Sequence, residues 1–339
     1  MNKCLIDFVI PWVDGNDPEC RSRKAKITAT ADSDDRENRY RDWDILRYWF
    51  RGIEQFAPWV NKVWFICDQE PPAWLNTKHP KLRIVRHEDY LPEQYRPAFS
   101  ANPIELNLHR IQGLAEQFVY FNDDMFLLKT VKPDFFFKDG LPRDSAVLNP
   151  LLATELARSG RDAHISPMYL YDLEYLNCDF NARDCIRKNW KKWLHPCYRK
   201  DIFRNLLFMS YSRFVGFIEN HLPNAFLKSS FVEAWEQDFD ILDATSRHHL
   251  RDDHDVNQWL IRQRQLAAGK FVPRKPYYKC TFAIGDDDAQ MHRMIRSQTV
   301  PMVCLNDNSH LDKKTFFALR RKLQRDFETI LPKKSKYEK

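Results

Sequence analysis

The chain has 339 residues, of which 43% are hydrophobic and 29% are charged, and its formal net charge is +6. This composition is that of a globular protein and excludes a disordered, collagen-like or coiled-coil chain. The length predicts one large α/β domain, or one core with a substantial insertion. Asp7 interrupts the first apolar run, which argues against a signal peptide, and no segment reaches the roughly 18 apolar residues of a membrane span. We therefore expect a cytoplasmic protein.

The first 150 residues alternate between strand and helix patterns. Asp42 is a candidate cap for the first amphipathic helix, and Pro103 lies in the first turn of the second. This alternation predicts a doubly wound, mostly parallel sheet. The predicted elements are, in chain order, a strand at 5–10, a helix at 42–57, strands at 62–67 and 82–86, a helix at 102–117 and a strand at 118–121.

Acidic side chains follow three of these predicted strands. Asp14 and Asp17 follow the first strand, Asp68 follows the second, and Asp123 and Asp124 follow the last. Because ligands bind beyond the carboxyl ends of strands in such sheets, we expect these carboxylates to gather at one edge. Gathered carboxylates repel each other unless a cation lies between them, so the pattern favours a divalent cation that carries a diphosphate. The alternative for Asp123 and Asp124 is a turn and a helix cap.

The segment 181–204 is rich in arginine and lysine, and Trp190 and Trp193 are interleaved with the charges. Such a segment is either a solvated helix face or a surface for an anionic lipid or a polyanionic glycan. We find no nucleic-acid recognition motif and expect no nucleic-acid partner. The eight cysteines are scattered and are expected to be free thiols. A zinc site is a further alternative, although the spacings match no common zinc pattern, for the cluster Cys178, Cys185, His195 and Cys197.

A helical pattern is predicted over 221–270 and contains the run HHLRDDHD at 248–255. This run is either the capped start of a helix, with Asp252 or Asp253 as the cap, or a functional site. In a functional site, an arginine would bind a phosphate and a histidine would supply a proton near neutral pH.

The last 40 residues contain a strand pattern and a helix pattern. The strand pattern near 300–305 ends in Asn306 and Asp307, which repeats the acidic strand ends of the first half. The C-terminal segment 313–339 predicts a basic amphipathic helix that frays into a charged tail.

Four blocks of the sequence occur in an order typical of one known family. They are IDFVIPWVDGNDP, a long block from RYRDWDILRYWF to FVYFNDDMFL, the pair HLPNAFLKSSF and RDDHDVNQWL, and the short CLNDN. On these blocks the chain resembles the Stealth family, whose members transfer a sugar 1-phosphate from a nucleotide-sugar to an acceptor hydroxyl. The family includes bacterial capsule and exopolysaccharide phosphotransferases and the catalytic part of the lysosomal N-acetylglucosamine-1-phosphotransferase.

The resemblance implies a GT-A-like fold with a helical insertion. We expect a nucleotide-sugar-binding α/β core at 1–180, a helical basic-aromatic insertion with catalytic residues at 181–270, and a return to the core at 271–339. The implied donor is a UDP-sugar, with Mg²⁺ or Mn²⁺ as the cofactor and UMP as the leaving group. The implied acceptor is a glycan or a lipid-linked glycan, and the process is cell-surface polysaccharide synthesis.

The resemblance also assigns roles to residues. It implies that His221 is a general base, that Arg251 stabilises the phosphoryl oxygens, and that Asp124 or Asp255 orients or replaces His221. It places a metal on Asp123 and Asp124. Arg110 is expected to assist Arg251. Where the family often has histidine after the arginine, this chain has Asp252. The residues implied to bind nucleotide or cofactor are Asp14, Asp17, Arg39, Asp42, Arg47, Glu105, His109, Arg110, Asn306 and Asp307.

Two other functions remain open at this point. A GT-A glycosyltransferase would use the same fold but would attack the anomeric carbon and release UDP rather than UMP. A non-catalytic protein that binds anionic surfaces would use the basic segment 181–204. A lipid-linked acceptor would further bring the protein to the inner face of the plasma membrane as a peripheral protein.

Overall fold

The structure is a computed structural model that describes residues 5–15, 17–28, 41–150, 165–285, 288–307 and 311–339. Its centre is a five-stranded sheet with the order β3-β2-β1-β4-β8. The first four strands are parallel, and β8 runs antiparallel to β4. The predicted α/β fold with a mostly parallel sheet is confirmed. The strands are β1 (Ile6–Pro11), β2 (Val63–Ile66), β3 (Leu82–Val85), β4 (Gln117–Tyr120) and β8 (Asn224–Leu227).

Two small sheets join the central one. One has the order β10-β11-β5, in which β11 runs antiparallel to β5. The other has the order β6-β7-β9. Because β5 directly follows β4 along the chain, the first small sheet begins at the carboxyl edge of the central sheet. The remaining strands are β5 (Met125–Leu127), β6 (Phe137–Lys138), β7 (Leu141–Asp144), β9 (Val272–Pro273), β10 (Thr281–Ala283) and β11 (Met302–Asn306).

Helices cover both faces of the central sheet, and side-chain caps begin several of them. Ser100, Asn257 and Asp312 each accept a backbone N–H of the first turn of the helix that follows. The helices are α1 (Pro18–Thr28), α2 (Leu46–Phe56), α3 (Ala101–Leu106), α4 (Ile165–Asp179), α5 (Ala182–Lys188), α6 (Trp190–Trp193), α7 (Ile202–Phe208), α8 (Lys228–Gln237), α9 (Phe239–Arg247), α10 (Gln258–Ala267), α11 (Asp288–Ser297) and α12 (Lys313–Ile330).

Two hydrophobic clusters hold these layers together, one on each face of the sheet. Side chains alternate along a strand, so Phe8 of β1 packs into one cluster and Val9 packs into the other. The first cluster contains α2, α12 and the strands β5 and β11, and the second contains α3, α8 and α10. A parallel sheet needs this cover on both faces.

Several element boundaries differ from the predictions. The first helix begins at Leu46, not at 42, and Asp42 instead accepts the backbone N–H of Asp44. The helix predicted at 102–117 ends at Leu106, because the chain continues as a short 3₁₀ helix and then a turn. Of the two alternatives for 248–255, the helix start is wrong, since α10 begins at Gln258 with Asn257 as its cap.

Two larger segments also fold differently from the expectation. The region 221–270 is not helical throughout, because β8 lies within it and completes the central sheet. The C-terminal tail is not frayed. Tyr337 is buried, and the Glu338 carboxylate pairs with the buried guanidinium of Arg51, with a Nε to Oε1 distance of 2.9 Å. The tail therefore closes over α2.

The basic segment 181–204 is partly structural. Trp193 is fully buried and Lys192 donates to the backbone oxygen of Gly269, whereas Trp190 is 53% exposed. Among the helices of the described residues, none is long and apolar enough to cross a membrane.

Candidate active site

A continuous cleft opens at the carboxyl edge of β1, β2, β3 and β4. It consists of three adjoining cavities of 1030, 390 and 250 Å³. Asp68 lines the two larger cavities, Asp14 lines the largest and the smallest, and Asp123 and Asp124 line the two smaller ones. The predicted gathering of acidic strand ends at one edge is therefore present in the structure.

The corner between β4 and β5 fixes the position of Asp124. The chain turns at Asn122, whose backbone oxygen accepts the N–H of Met125 at 3.1 Å. The backbone oxygen of Asp124 accepts the N–H of Leu305 in β11 at 2.9 Å. Two adjacent carboxylates thus follow a buried strand because the chain passes there from the central sheet to the small sheet.

Among the described residues, five carboxylates and the cation Arg41 line the cavity of 250 Å³. Burial raises the pKa of Asp123 to about 7, and the charges of Asp124 and Asp42 act in the same direction. The Oδ1 atom of Asp124 is buried and has no hydrogen-bond partner among the described residues. Carboxylate oxygens gathered in this way are the ligands that a hard cation takes. The five are Asp14, Asp42, Asp123, Asp124 and Asp307.

His221 lies beside this corner. Its Nε2 is 3.7 Å from Oδ2 of Asp124 and 3.3 Å from Nδ2 of Asn122. Burial lowers the pKa of His221, but the neighbouring Asp124 and the charge of Glu105 outweigh burial, so its pKa is raised. A histidine of raised pKa next to a carboxylate is suited to accept a proton and hold it.

Arg251 lines the same 390 Å³ cavity as Asp123 and Asp124. The buried Glu105 lies within electrostatic reach of both Arg251 and His221. Burial raises the pKa of Glu105 to about 7, and the two cations only partly offset that effect. The Glu105 carboxylate also accepts the backbone N–H of Gln258 at 3.2 Å. The structure therefore brings His221, Arg251, Asp124 and Glu105 to one place.

Asp255 occupies a different position from the one predicted. Its carboxylate is fully buried and accepts hydrogen bonds from Nδ2 of Asn102 at 2.8 Å and from the backbone N–H of Asp252 at 3.0 Å. It also lies 2.6 Å from Nδ1 of His248. These contacts make Asp255 the anchor of the loop that carries Arg251. Asp124, and not Asp255, is the carboxylate beside His221.

The other predicted site residues divide into two groups. Asp14, Asp42 and Asp307 line the small cavity, Asp17 lines the largest cavity, and Asn306 accepts from the Cys304 thiol. Arg47 is instead paired with Asp44 at 3.2 Å, and its guanidinium lies over Trp74. Arg39 lies outside the described residues.

His109 and Arg110 are packed against α8 and not into the cleft. The His109 ring lies 5.8 Å from that of Trp235, and the Arg110 guanidinium lies 4.7 Å from the same ring. They precede the amino end of β4, whereas the cleft lies at its carboxyl end. The structure thus separates Arg110 from Arg251.

This placement makes a prediction about acid stability. Burial lowers the pKa of His109 to about 3, and the charges of Arg110 and Lys228 act in the same direction. The ordinary pKa of histidine is 6.5, so below pH 6.5 His109 is protonated in the unfolded chain but stays neutral in the folded chain. The folded state therefore loses stability as the pH falls. We expect His109→Gln to weaken the pH dependence of the urea midpoint between about pH 6.5 and pH 5. The exposed His254→Gln should leave it unchanged, and an equal effect of both substitutions would contradict the prediction.

Two candidate metal sites can be compared among the described residues. The alternative zinc cluster of Cys178, Cys185, His195 and Cys197 does not form a group of converging ligands there. One atom each of Asp124, His221 and Cys304 does converge, and these atoms lie within 4.8 Å of one another. Burial raises the pKa of the Cys304 thiol far above its ordinary range, and Asp124 adds to this effect. A hard cation prefers oxygen to sulfur, so the carboxylates are better ligands for it than Cys304.

Several cations of the cleft were missed by sequence reasoning. Arg23 lies 3.4 Å from Asp68, and Arg86 donates to the backbone oxygen of Gln69. Both line the largest cavity, together with His87. Their position in the sequence could have identified two of them, since Arg86 and His87 directly follow β3 just as the acidic residues follow the other strands.

Fold and site together define an α/β protein whose sheet edge carries a cleft of acidic and basic side chains, the class of site that binds phosphorylated ligands. Residues 39–144 match the family model described as Stealth protein CR2, conserved region 2. The chain is 34% identical to the capsular polysaccharide phosphotransferase WcwK of Streptococcus pneumoniae, over 98% of each chain. It is 36% identical to the receptor polysaccharide phosphotransferase WefC of Streptococcus oralis, over 100% of each chain. The chain belongs to the Stealth family.

A further relative and a solved structure are also similar. The exopolysaccharide phosphotransferase cps2G of Lactiplantibacillus plantarum is 34% identical over 98% of this chain and 96% of its own. The galactosyltransferase LgtC, solved with donor and acceptor sugar analogs, aligns with a TM-score of 0.36 at 9% identity, over 94% of this chain and 95% of its own.

Proposed function

We propose that the protein is a phosphotransferase of cell-surface polysaccharide synthesis. It moves a hexose 1-phosphate, or an N-acetylhexosamine 1-phosphate, from a UDP-sugar to a glycan hydroxyl and releases UMP. The observation that carries the proposal is the contact of His221 with Asp124, at a corner whose cavity Arg251 also lines. The polysaccharide phosphotransferase names of relatives that match over the whole chain support it.

The chemistry follows from these positions. The acceptor oxygen forms a bond to the phosphorus that carries the sugar, and the bond from that phosphorus to the bridging oxygen of UMP breaks. His221 takes the acceptor proton on Nε2, and Asp124 stabilises the resulting imidazolium. Arg251 stabilises the charge that spreads over the phosphoryl oxygens. Asp255 acts through the loop 248–255, because it holds Arg251 in place without touching the substrate.

Mg²⁺ or Mn²⁺ is the cofactor that fits the carboxylates of the small cavity. Hard cations take oxygen ligands. The buried Oδ1 of Asp124, which has no hydrogen-bond partner in the described part of the chain, is such a ligand and lies next to Asp123. When bound, the cation neutralises the diphosphate of the donor. Asp123 and Asp124 would hold it, with Asp14, Asp42 and Asp307 around the same cavity.

Metal binding has a readout that does not depend on activity. We expect Mn²⁺, and more weakly Mg²⁺, to raise the Tm of the wild type in thermal denaturation, because a ligand of the folded state stabilises it. Asp123→Asn should remove most of the Mn²⁺-dependent increase. Cys304→Ser should keep the increase, since these cations prefer oxygen to sulfur ligands. If Cys304→Ser lost the increase and Asp123→Asn kept it, the cation would lie on the His221 side instead.

The experiment that tests the function identifies the released nucleotide. The protein is incubated with several UDP-sugars, Mg²⁺ or Mn²⁺ and glycan acceptors, and the products are analysed by mass spectrometry. UMP together with a phosphodiester-linked product is expected. UDP with a glycosidic product would instead show a glycosyltransferase. If no donor gave any product, the result would favour a non-catalytic protein that binds anionic surfaces. A lipid-linked acceptor would place the reaction at the inner face of the plasma membrane.

A further inference from the structure

The helix α7 presents apolar side chains to solvent and a polar side chain to the core. Phe203 is 72% exposed, Leu207 67% and Leu206 45%, and Tyr211 just beyond the helix is 54% exposed. Asn205 is fully buried, where its side chain accepts the N–H of Leu148 and donates to the backbone oxygen of Ala146. The apolar face of α7 is therefore its outer face, and the inner face is fixed by hydrogen bonds. An exposed apolar cluster of this kind marks an interaction surface.

The exposed charges within the segment 199–213 have one sign. Within 199–213 the exposed charged side chains are Arg199, Lys200, Arg204 and Arg213. The acidic residue of the segment, Asp201, is buried, where it accepts from the hydroxyl of Tyr278 at 2.8 Å and lies 3.6 Å from Arg204. A partner that fits this segment therefore offers apolar groups to the exposed phenylalanine and leucines and negative charge to the cations.

A basic cavity of 380 Å³ adjoins the segment through Arg199. No carboxylate is present among its described lining residues. The Arg274 guanidinium donates to the backbone oxygen of Phe135 and lies over that ring, so it is held in place before any ligand arrives. Such a cavity fits a phosphate group. Its cations are Arg143, Arg199, Arg274 and Lys275.

We propose that residues 199–213 form a docking surface for an anionic lipid bilayer. Phe203, Leu206 and Leu207 enter the interfacial region, while the surrounding arginines and lysine contact lipid phosphates. A second copy of this chain fits less well, because a symmetric interface would bring the same cations face to face. The surface is distinct from the catalytic cleft. The segment is tied to α5, since the Arg183 guanidinium donates twice to the backbone oxygen of Ser210.

Flotation with lipid vesicles tests this surface without any sugar substrate. The wild type should float with vesicles of phosphatidylcholine and phosphatidylglycerol, should float much less with phosphatidylcholine alone, and should be released by added salt. The double variant F203S/L207S should lose about tenfold or more in partitioning. K200E/R213E should lose binding to the anionic vesicles. The matched control is Phe317→Ser on α12, where the phenylalanine is 49% exposed and should not matter.

Three results would overturn the docking surface. They are failure of the wild type to bind anionic vesicles, equal binding of F203S/L207S and the wild type, and equal loss in Phe317→Ser. Light scattering after size exclusion adds a fourth, since a wild-type dimer that F203S/L207S converts to a monomer would show a subunit interface. F203S/L207S should keep its circular dichroism spectrum and should keep the UMP-releasing activity on a soluble acceptor. Loss of vesicle binding alone therefore separates this inference from the proposed function.

Discussion

Asp124→Asn is expected to reduce the rate of sugar-phosphate transfer by about 10²–10⁴-fold while the protein stays folded. The substitution keeps the shape of the side chain, and the backbone contact of Asp124 with Leu305 does not involve the carboxylate. What is lost is the negative charge beside His221 and the oxygen ligand of the cation. Because both losses act on the reacting groups, kcat should fall more than KM rises. The measurement is UMP release at saturating donor.

The control for this prediction is a carboxylate outside the cleft. Glu236→Gln on α8 removes one exposed charge and should leave kcat unchanged. Urea unfolding of Asp124→Asn should give a midpoint close to that of the wild type. If Asp124→Asn retained kcat within about twofold, the proposed role of this corner would be wrong, whatever the nucleotide released.

Arg262→Met is expected to lower the free energy of unfolding by about 3–5 kcal/mol. The Arg262 guanidinium is buried, with Nε and Nη2 donating to the Asp144 carboxylate at 2.7 and 2.8 Å and Nη1 donating to Glu219 at 2.5 Å. Burial already raises the pKa of Glu219, and the charge of Arg262 opposes that effect. Methionine fills part of the volume but leaves both carboxylates buried without their cation.

Urea denaturation at neutral pH measures this loss. Arg321→Met, at an exposed position on α12, is the matched substitution and should change the free energy by less than about 0.5 kcal/mol. Glu219 lies two residues before His221, so a folded fraction of Arg262→Met should also transfer more slowly. A loss below about 1 kcal/mol would contradict the assignment of Arg262 as the cation of this buried network.

The gathering of acidic residues at the strand ends was predictable, because two rules suffice to place them. Apolar runs show the buried strands, and parallel strands bring their carboxyl ends to one edge, so Asp14, Asp68 and Asp123 could be placed together from the sequence. The strand β8 was missed because four residues, NAFL, followed by a helix carry no periodicity that separates strand from helix. His109 and Arg110 were assigned to nucleotide binding because they lie in a sequence block typical of the family. Membership of such a block does not show which edge of the sheet a residue is near.

Tertiary contacts account for the remaining differences. The ion pair of Arg51 with Glu338 joins residues that are 287 positions apart, so nothing local distinguishes this tail from a solvated one. Asp255 and His221 are both ionisable and both lie in the same helical pattern. Only the folded positions of Asn102 and Asp124 show that the first residue anchors a loop and the second lies at the site.

The hydrogen bond from Leu305 to Asp124 has a consequence for the order in which the enzyme matures during translation. The ribosome completes the corner at Asp124 early, but β11, the strand that holds this corner, is synthesised much later. A nascent polypeptide that has emerged through residue 270 contains His221, Arg251 and the pair Asp123 and Asp124, yet lacks β11. Catalytic competence should therefore arise abruptly, when β11 leaves the exit tunnel and closes the small sheet.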